Sequence, residues 1–160
     1  MKKILIILLL VPIAYALLHT TFSSFSDTEV SAGNTFTAAT WETQAGYLSI
    51  DTSGAKLTGN GGKLHSIVLN LTTPRNITID KMIVNWTVNN GEKIEEIRIG
   101  GVTFWSGSEI ADAVLDGNYI LSKKERIEFR FDSDMQGRSF TITFIMGDSS
   151  TKKIAIIVIR

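Results

Sequence analysis

The chain has no cysteine. That single absence removes thiol nucleophiles, thiolate zinc sites, iron–sulfur ligation and disulfide staples together. A fold of this size without crosslinks must be held by core packing and strand pairing. Histidine is almost as scarce, with only His19 and His65 among 160 residues. No His-Glu-x-x-His metal motif occurs, and a hydrolase triad would have His65 alone to draw on. Gly-x-x-x-x-Gly-Lys and Gly-x-Gly-x-x-Gly are both missing, so no phosphate cradle is indicated. Beyond Lys2-Lys3 at the N-terminus, basic residues pair only as Lys123-Lys124 and Lys152-Lys153, read as solvated turn or strand-end charges. Nucleic acid and anionic membrane need a clustered basic face, and neither is an expected partner. The expectation is a non-enzymatic protein with no cofactor and no metal.

The N-terminus reads as an export signal. Met1-Lys2-Lys3 precedes an almost unbroken apolar run from Ile4 to Leu18. That run is shorter than the ~20 residues of a membrane span. A cleaved signal peptide over residues 1–23 is favoured over an uncleaved anchor. Thr21 and Ser23 supply the small residues that place the cut between Ser23 and Ser24. Loss of Lys2 and Lys3 from 16 basic residues leaves 14 against 16 acidic ones, a formal charge of −2. The implied partner is signal peptidase during export, with no membrane contact afterwards.

Beyond residue 35 the dominant period is two. Ile127, Phe129 and Phe131 alternate with charged neighbours; Phe140, Ile142, Phe144 and Met146 alternate with Ser, Thr and Ile; Ile67, Leu69 and Leu71 repeat the pattern. These are half-buried antiparallel strands. Residues 76–89 alternate with a fault: Ile77 and Ile79 are in one phase, Met82, Val84, Trp86 and Val88 in the other. A bulge at Asp80-Lys81 would bring all six to one face. Turn signals fall at Gly59–Gly62, Asn89–Gly91, Gly100-Gly101, Asp116–Asn118 and Gly147-Asp148, and Pro74 breaks the chain before Asn76. Only Ser108–Val114 reads as helical. About eight short strands point to an all-β, antiparallel β-sandwich of jelly-roll or immunoglobulin-like type over residues 42–160. The last strand, Lys152–Arg160, is apolar in both phases. It is either a central strand under a loop or a strand that a neighbouring molecule covers.

Other candidate sites have ordinary readings beside the functional ones. His65 lies in a strand with no carboxylate near in sequence, as a packed or edge histidine would. Asp132-Ser133-Asp134 with Gln136-Gly137 could gather oxygens round calcium, but has no later glutamate at loop spacing and reads as a turn. Trp86 belongs to the apolar phase and to the core. Trp41 and Trp105 remain open as sugar-stacking surfaces. Sequons at Asn70, Asn76 and Asn85 each fall opposite the apolar face, so N-linked glycan is an admissible partner.

Between leader and sandwich lies residues 24–41, polar and extended, with Val30, Ala32, Phe36 and Ala38 in one phase and Phe25 and Trp41 in the other. Thr21-Phe-Ser-Ser-Phe-Ser-Asp-Thr-Glu29, followed by Gly33-Asn-Thr-Phe-Thr-Ala-Ala-Thr-Trp41, resembles the junction of TasA/camelysin-like secreted fibre proteins. It is similar also to archaeal bundling-pilus subunits, with Ala39 standing where those proteins usually carry glycine. The likeness covers about twenty residues. It implies an extracellular pilus or biofilm-matrix fibre whose freed N-terminal segment, here Ser24 to about Thr40, inserts as a strand into the next subunit. The implied subunit-interface anchors are Phe25, Val30, Ala32, Phe36 and Ala38. Camelysin-type protease activity is not implied, because no zinc motif matches.

Reach supports such assembly. Seventeen extended residues span ~55 Å, whereas a body of about 120 residues is ~35 Å across. A donor arm and its acceptor on one polypeptide make a head-to-tail contact, which gives filaments when it does not close. The arm could equally complete its own sheet. The expected function is thus a secreted, self-assembling filament subunit. The alternatives are a monomeric surface domain binding glycan or protein through Trp41 or Trp105, and a secreted hydrolase.

Overall fold

The alternating runs become ten strands and one helical turn across residues 42–158, the part of the chain that the computed structural model describes. The leader, Ser23 and Ser24, and the arm with Phe25, Val30, Ala32, Phe36, Ala38 and Trp41 lie outside the described residues. The helical turn α1 is Gln44–Tyr47, followed by β1 Leu48–Asp51, β2 Lys56–Thr58, β3 Lys63–Leu71, β4 Ile77–Thr87 and β5 Ile94–Ile99. Then come β6 Val102–Glu109, β7 Val114–Leu121, β8 Glu125–Phe131, β9 Ser139–Met146 and β10 Thr151–Ile157. All pairings are antiparallel. One sheet runs β1-β3-β8-β5-β6, with β2 beside β3 next to β1; the other runs β10-β9-β4-β7. The two form the antiparallel sandwich that the sequence predicts.

Alternate residues of each strand fill the space between the sheets. Trp86, Phe129, Phe140 and Phe144 are almost wholly buried, alongside Ile67, Leu69, Ile97, Ile127 and Ile142. Each such side chain contributes ~1.5–3 kcal/mol through burial. Phe131 anchors an aromatic knot, edge-on to Trp86 at 5.4 Å and tilted against Phe140 at 5.6 Å. The bulge in β4 is present: register shifts between Ile79 and Lys81 against both β7 and β9. It puts Ile77, Ile79, Met82, Val84 and Trp86 on the core side. Val88 departs from the expectation, being 63% exposed, because β4 ends at Thr87 and the chain turns away.

Three further expectations are corrected. Ser108–Val114 is not helical: Glu109 pairs with Ile94 in β6, Val114 pairs with Ile83 in β7, and Asp112 between them has φ +68°. Sheet pairing on both sides overrides a weak local preference. Asp116–Asn118 is not a turn but lies inside β7. There the ring of Phe104 occupies the place where a Cβ of residue 117 would be, at 2.4 Å. Glycine was required by that approach and not by a change of direction. Finally, β10 is not central. It stands at a sheet end, paired among the described residues only with β9.

Candidate assembly surface

β-Branched residues, Thr151, Ile154, Ile156, Ile157 and Val158, set up β10 as a strand. The turn before it is organised by Asp148. Ser150 donates its N–H and hydroxyl to Asp148 Oδ1 at 3.0 and 2.5 Å, and Ser149 takes φ +65°. Asp148 Oδ2 accepts the Gln44 N–H at 2.8 Å, and Ser150 Oγ accepts that of Ala45 at 3.0 Å. In turn the Gln44 side chain accepts the Thr78 N–H at 2.7 Å. Thr43 caps α1, accepting the Gly46 N–H. The start of the body is therefore tied to the β9–β10 turn and to β4.

The core-facing apolar residues are Ile154 and Ile156 on β10 and Val158 just past its end. Ile156 is buried, but Ile154 and Val158 are only half-buried. On its outer face Ala155 and Ile157 are exposed, Ile157 at 74%. In the other sheet, Ile50, Ala55 and Leu57 of the β1–β2 segment are, like Ile154 and Val158, half-buried against the core. The opposite flank of the sandwich is closed by contact between β6 and β7. Apolar coverage is thus incomplete along the β1/β2 and β10 side.

The other candidate residues are dispersed. Asn70 is half-buried on the outer side of β3, opposite Ser49. Asn76 is exposed just before β4. Asn85, on the outer side of β4, donates its amide to Asp112 Oδ1 at 2.6 Å. His65 sits at a register shift in β3, where Ser66 has φ +65° and its hydroxyl lies 2.8 Å from His65 Nδ1. Burial, then Lys56 and Lys63, depress its pKa. An open groove of about 610 Å³ runs past His65, Ser66, Gly100, Lys124 and Arg126. The described residues bring no carboxylate into hydrogen-bond contact with that imidazole, and none of them form a metal-holding group of acidic and histidine side chains. In the 132–137 loop, Asp132 accepts the Lys93 N–H at 2.9 Å and Asp134 accepts the Gln136 N–H at 2.9 Å, which is turn chemistry. Trp86 is core; Trp105 is half-buried and packed on the core's margin.

A polar cluster escaped sequence reasoning. Glu92 is 8% exposed. Its Oε1 accepts Arg138 Nη2 at 2.5 Å, and its Oε2 accepts the Asn90 N–H at 2.8 Å and Trp86 Nε1 at 3.3 Å. The Asn90 N–H and the Arg138 guanidinium hold the Glu92 carboxyl down at about 2. The only hint in sequence was that a buried Trp86 needs an acceptor for its indole N–H.

No family model matches the chain, and neither does any curated protein. Several solved structures are similar in fold. A lipoprotein from Bacteroides thetaiotaomicron has 10% identity and a TM-score of 0.42, over 69% of this chain and 78% of its own. A conjugate transposon protein, residues 27–141, from Bacteroides vulgatus has 9% identity and a TM-score of 0.38, over 68% and 80%. The archaellum periplasmic stator protein FlaG from Sulfolobus acidocaldarius has 9% identity and a TM-score of 0.35, over 68% and 99%. Likenesses this remote carry no functional weight.

Proposed function

We propose that this protein is a non-enzymatic, secreted structural subunit that polymerises into an extracellular filament. After cleavage behind Ser23, the arm Ser24–Thr40 of one copy completes the sheet of the next. The observation that carries this reading is that, among the described residues, Ala45 to Ile156 supply a buried core, while the β1/β2 and β10 flank keeps half-covered apolar side chains. A body with its own core does not need the arm for folding, and an uncovered flank offers a place for a strand from elsewhere. The arm's alternation of Val30, Ala32, Phe36 and Ala38 with polar residues suits such a flank. Among the sequons, exposed Asn76 is the preferred glycan acceptor, since the Asn85 amide is engaged by Asp112.

Deletion of residues 24–40 tests the reading. The variant is expected to keep the β-type circular dichroism and cooperative melting of the full mature protein, yet to run as a monomer and yield nothing sedimentable. Full mature protein that stays monomeric at every concentration, or a deletion variant that still forms fibres, would refute it.

A further inference from the structure

We infer that the acceptor for the arm is the free edge of β10, where residues 30–38 of a second copy lie beneath β1 and β2. This rests on the filament reading and adds the location, the partner strand and the face that each side chain takes.

The argument begins with strand counting. From the closed flank, where β6 meets β7, one sheet has five columns, ending in β1 and β2 end to end; the other has four, ending in β10. By this count, no strand among the described residues is left to lie opposite the fifth column. Its inward side chains Ile50, Ala55 and Leu57 are half-buried, as are Ile154 and Val158 at the adjoining edge; Trp105, Ala113 and Tyr119 are half-buried too, but at the flank where β6 already meets β7. The helical turn α1 fills only one end, through Ala45 beside Leu48. One added strand beside β10 would equalise the sheets and cover all five side chains.

Edge chemistry picks the same strand. Natural sheets blunt their ends with bulges, short strands, charges or turn residues. β1 has four residues and β2 three. β6 carries two register shifts against β5, and β7 carries one against β4 with Asp116 and Gly117 beside it. β10 is seven residues long, has no proline or glycine, pairs in unbroken register and is charged only at Lys152 and Lys153. From Ile154 onward nothing discourages a further strand.

The arm's two faces match the two sides of that position. Val30, Ala32, Phe36 and Ala38 would point inward toward Ile50, Leu57, Ile154 and Ile156, and Asn34, which shares their phase, would sit at a local break at Gly33-Asn34. Ser31, Thr35 and Thr37 would extend the outer face that β9 builds from Ser139, Thr141 and Thr143. Pairing over 30–38 leaves residues 39–43 as the link, ~16 Å when extended, which holds donor and acceptor bodies against each other.

Because the chain lacks cysteine, directed disulfides give a clean test. One mature protein carries Thr35→Cys or Thr37→Cys, another Ala155→Cys, and a control carries Asn118→Cys on β7. Mixed and allowed to polymerise under mild oxidation, the arm variants are expected to link to Ala155→Cys and not to Asn118→Cys. Independently, Leu57→Ser alters a half-buried side chain that the added strand would cover, so the body should keep its cooperative fold while sedimentable polymer falls about tenfold, the equivalent of one side chain's burial. Linkage to Asn118→Cys instead, or undiminished polymer from Leu57→Ser, would overturn the β10 assignment while arm-dependent polymer leaves the filament reading standing. Linkage found only within single molecules of a Thr35→Cys/Ala155→Cys protein that never polymerises would overturn both.

Discussion

At Gly117 the ring of Phe104 lies where any β-carbon would be, 2.4 Å away. The ring is itself buried and cannot withdraw without opening a gap between β6 and β7. Gly117→Ala is therefore expected to cost about 1–3 kcal/mol, readable as a lowered denaturation midpoint with an unchanged slope. Glu92 is the other sensitive residue. Its carboxyl is held at about 2, below its ordinary 4.5, first by the Asn90 N–H and next by Arg138. A depressed carboxyl stabilises the fold fully above pH 4.5 and loses that contribution as pH falls toward 2. Glu92→Gln should lower stability at neutral pH by about 1.5–3 kcal/mol. It should also flatten the acid limb of a stability-against-pH curve between 4.5 and 2. An unchanged acid limb would show that Glu92 is not a controlling carboxylate. Sequence gave little warning of either residue: Gly117 read as a turn glycine, and no motif or period singled out Glu92. Gly117 owes its role to Phe104, 13 positions earlier, and Glu92 meets Arg138 only because the fold brings together residues 46 positions apart.

Elements follow from period two wherever one face is buried. In β4, Ile77 and Ile79 change phase to Met82, Val84 and Trp86 through the bulge at Asp80-Lys81. Deleting Asp80 removes the extra residue and leaves those five apolar side chains in one unbroken alternation. That variant is expected to fold, with some loss from its register with β7. Deleting Asn85 instead carries Trp86 to the solvent face, breaking its packing on Phe131 and its bond to Glu92. Thermal melts should separate the two deletions clearly, the second lacking a cooperative transition. Legibility fails where an element has no buried periodicity of its own. The Ser108–Val114 stretch looked helical in isolation, yet its ends are claimed by β5 and β4. Helical turn α1 carries too few residues to announce itself, and exists because Thr43 caps it and Asp148 and Ser150 receive its N–H groups.

For the whole molecule, the unequal sheets are the decisive feature. Among the described residues, a sandwich closed at β6–β7 has one sheet a column shorter than the other at β10, and the proposed donor arm is what would fill that column. The arm-deletion and disulfide experiments address this scale, because both read association and folding separately. Polymer that assembles through β10 would grow head to tail, since donor and acceptor are different surfaces of one chain.

Composition and alternation alone determined that this is a disulfide-free antiparallel sandwich, which side of most strands faces inward, and where β4 must bulge. Those properties follow from burial of every second side chain, which is written locally. Sequence could not rank the sheet ends: β10 is apolar in both phases, as a central strand would be, and only its pairing with β9 alone among the described residues shows it as an edge. Strand order and the count of columns arise from pairings between residues far apart, so the open flank was decided by the tertiary structure.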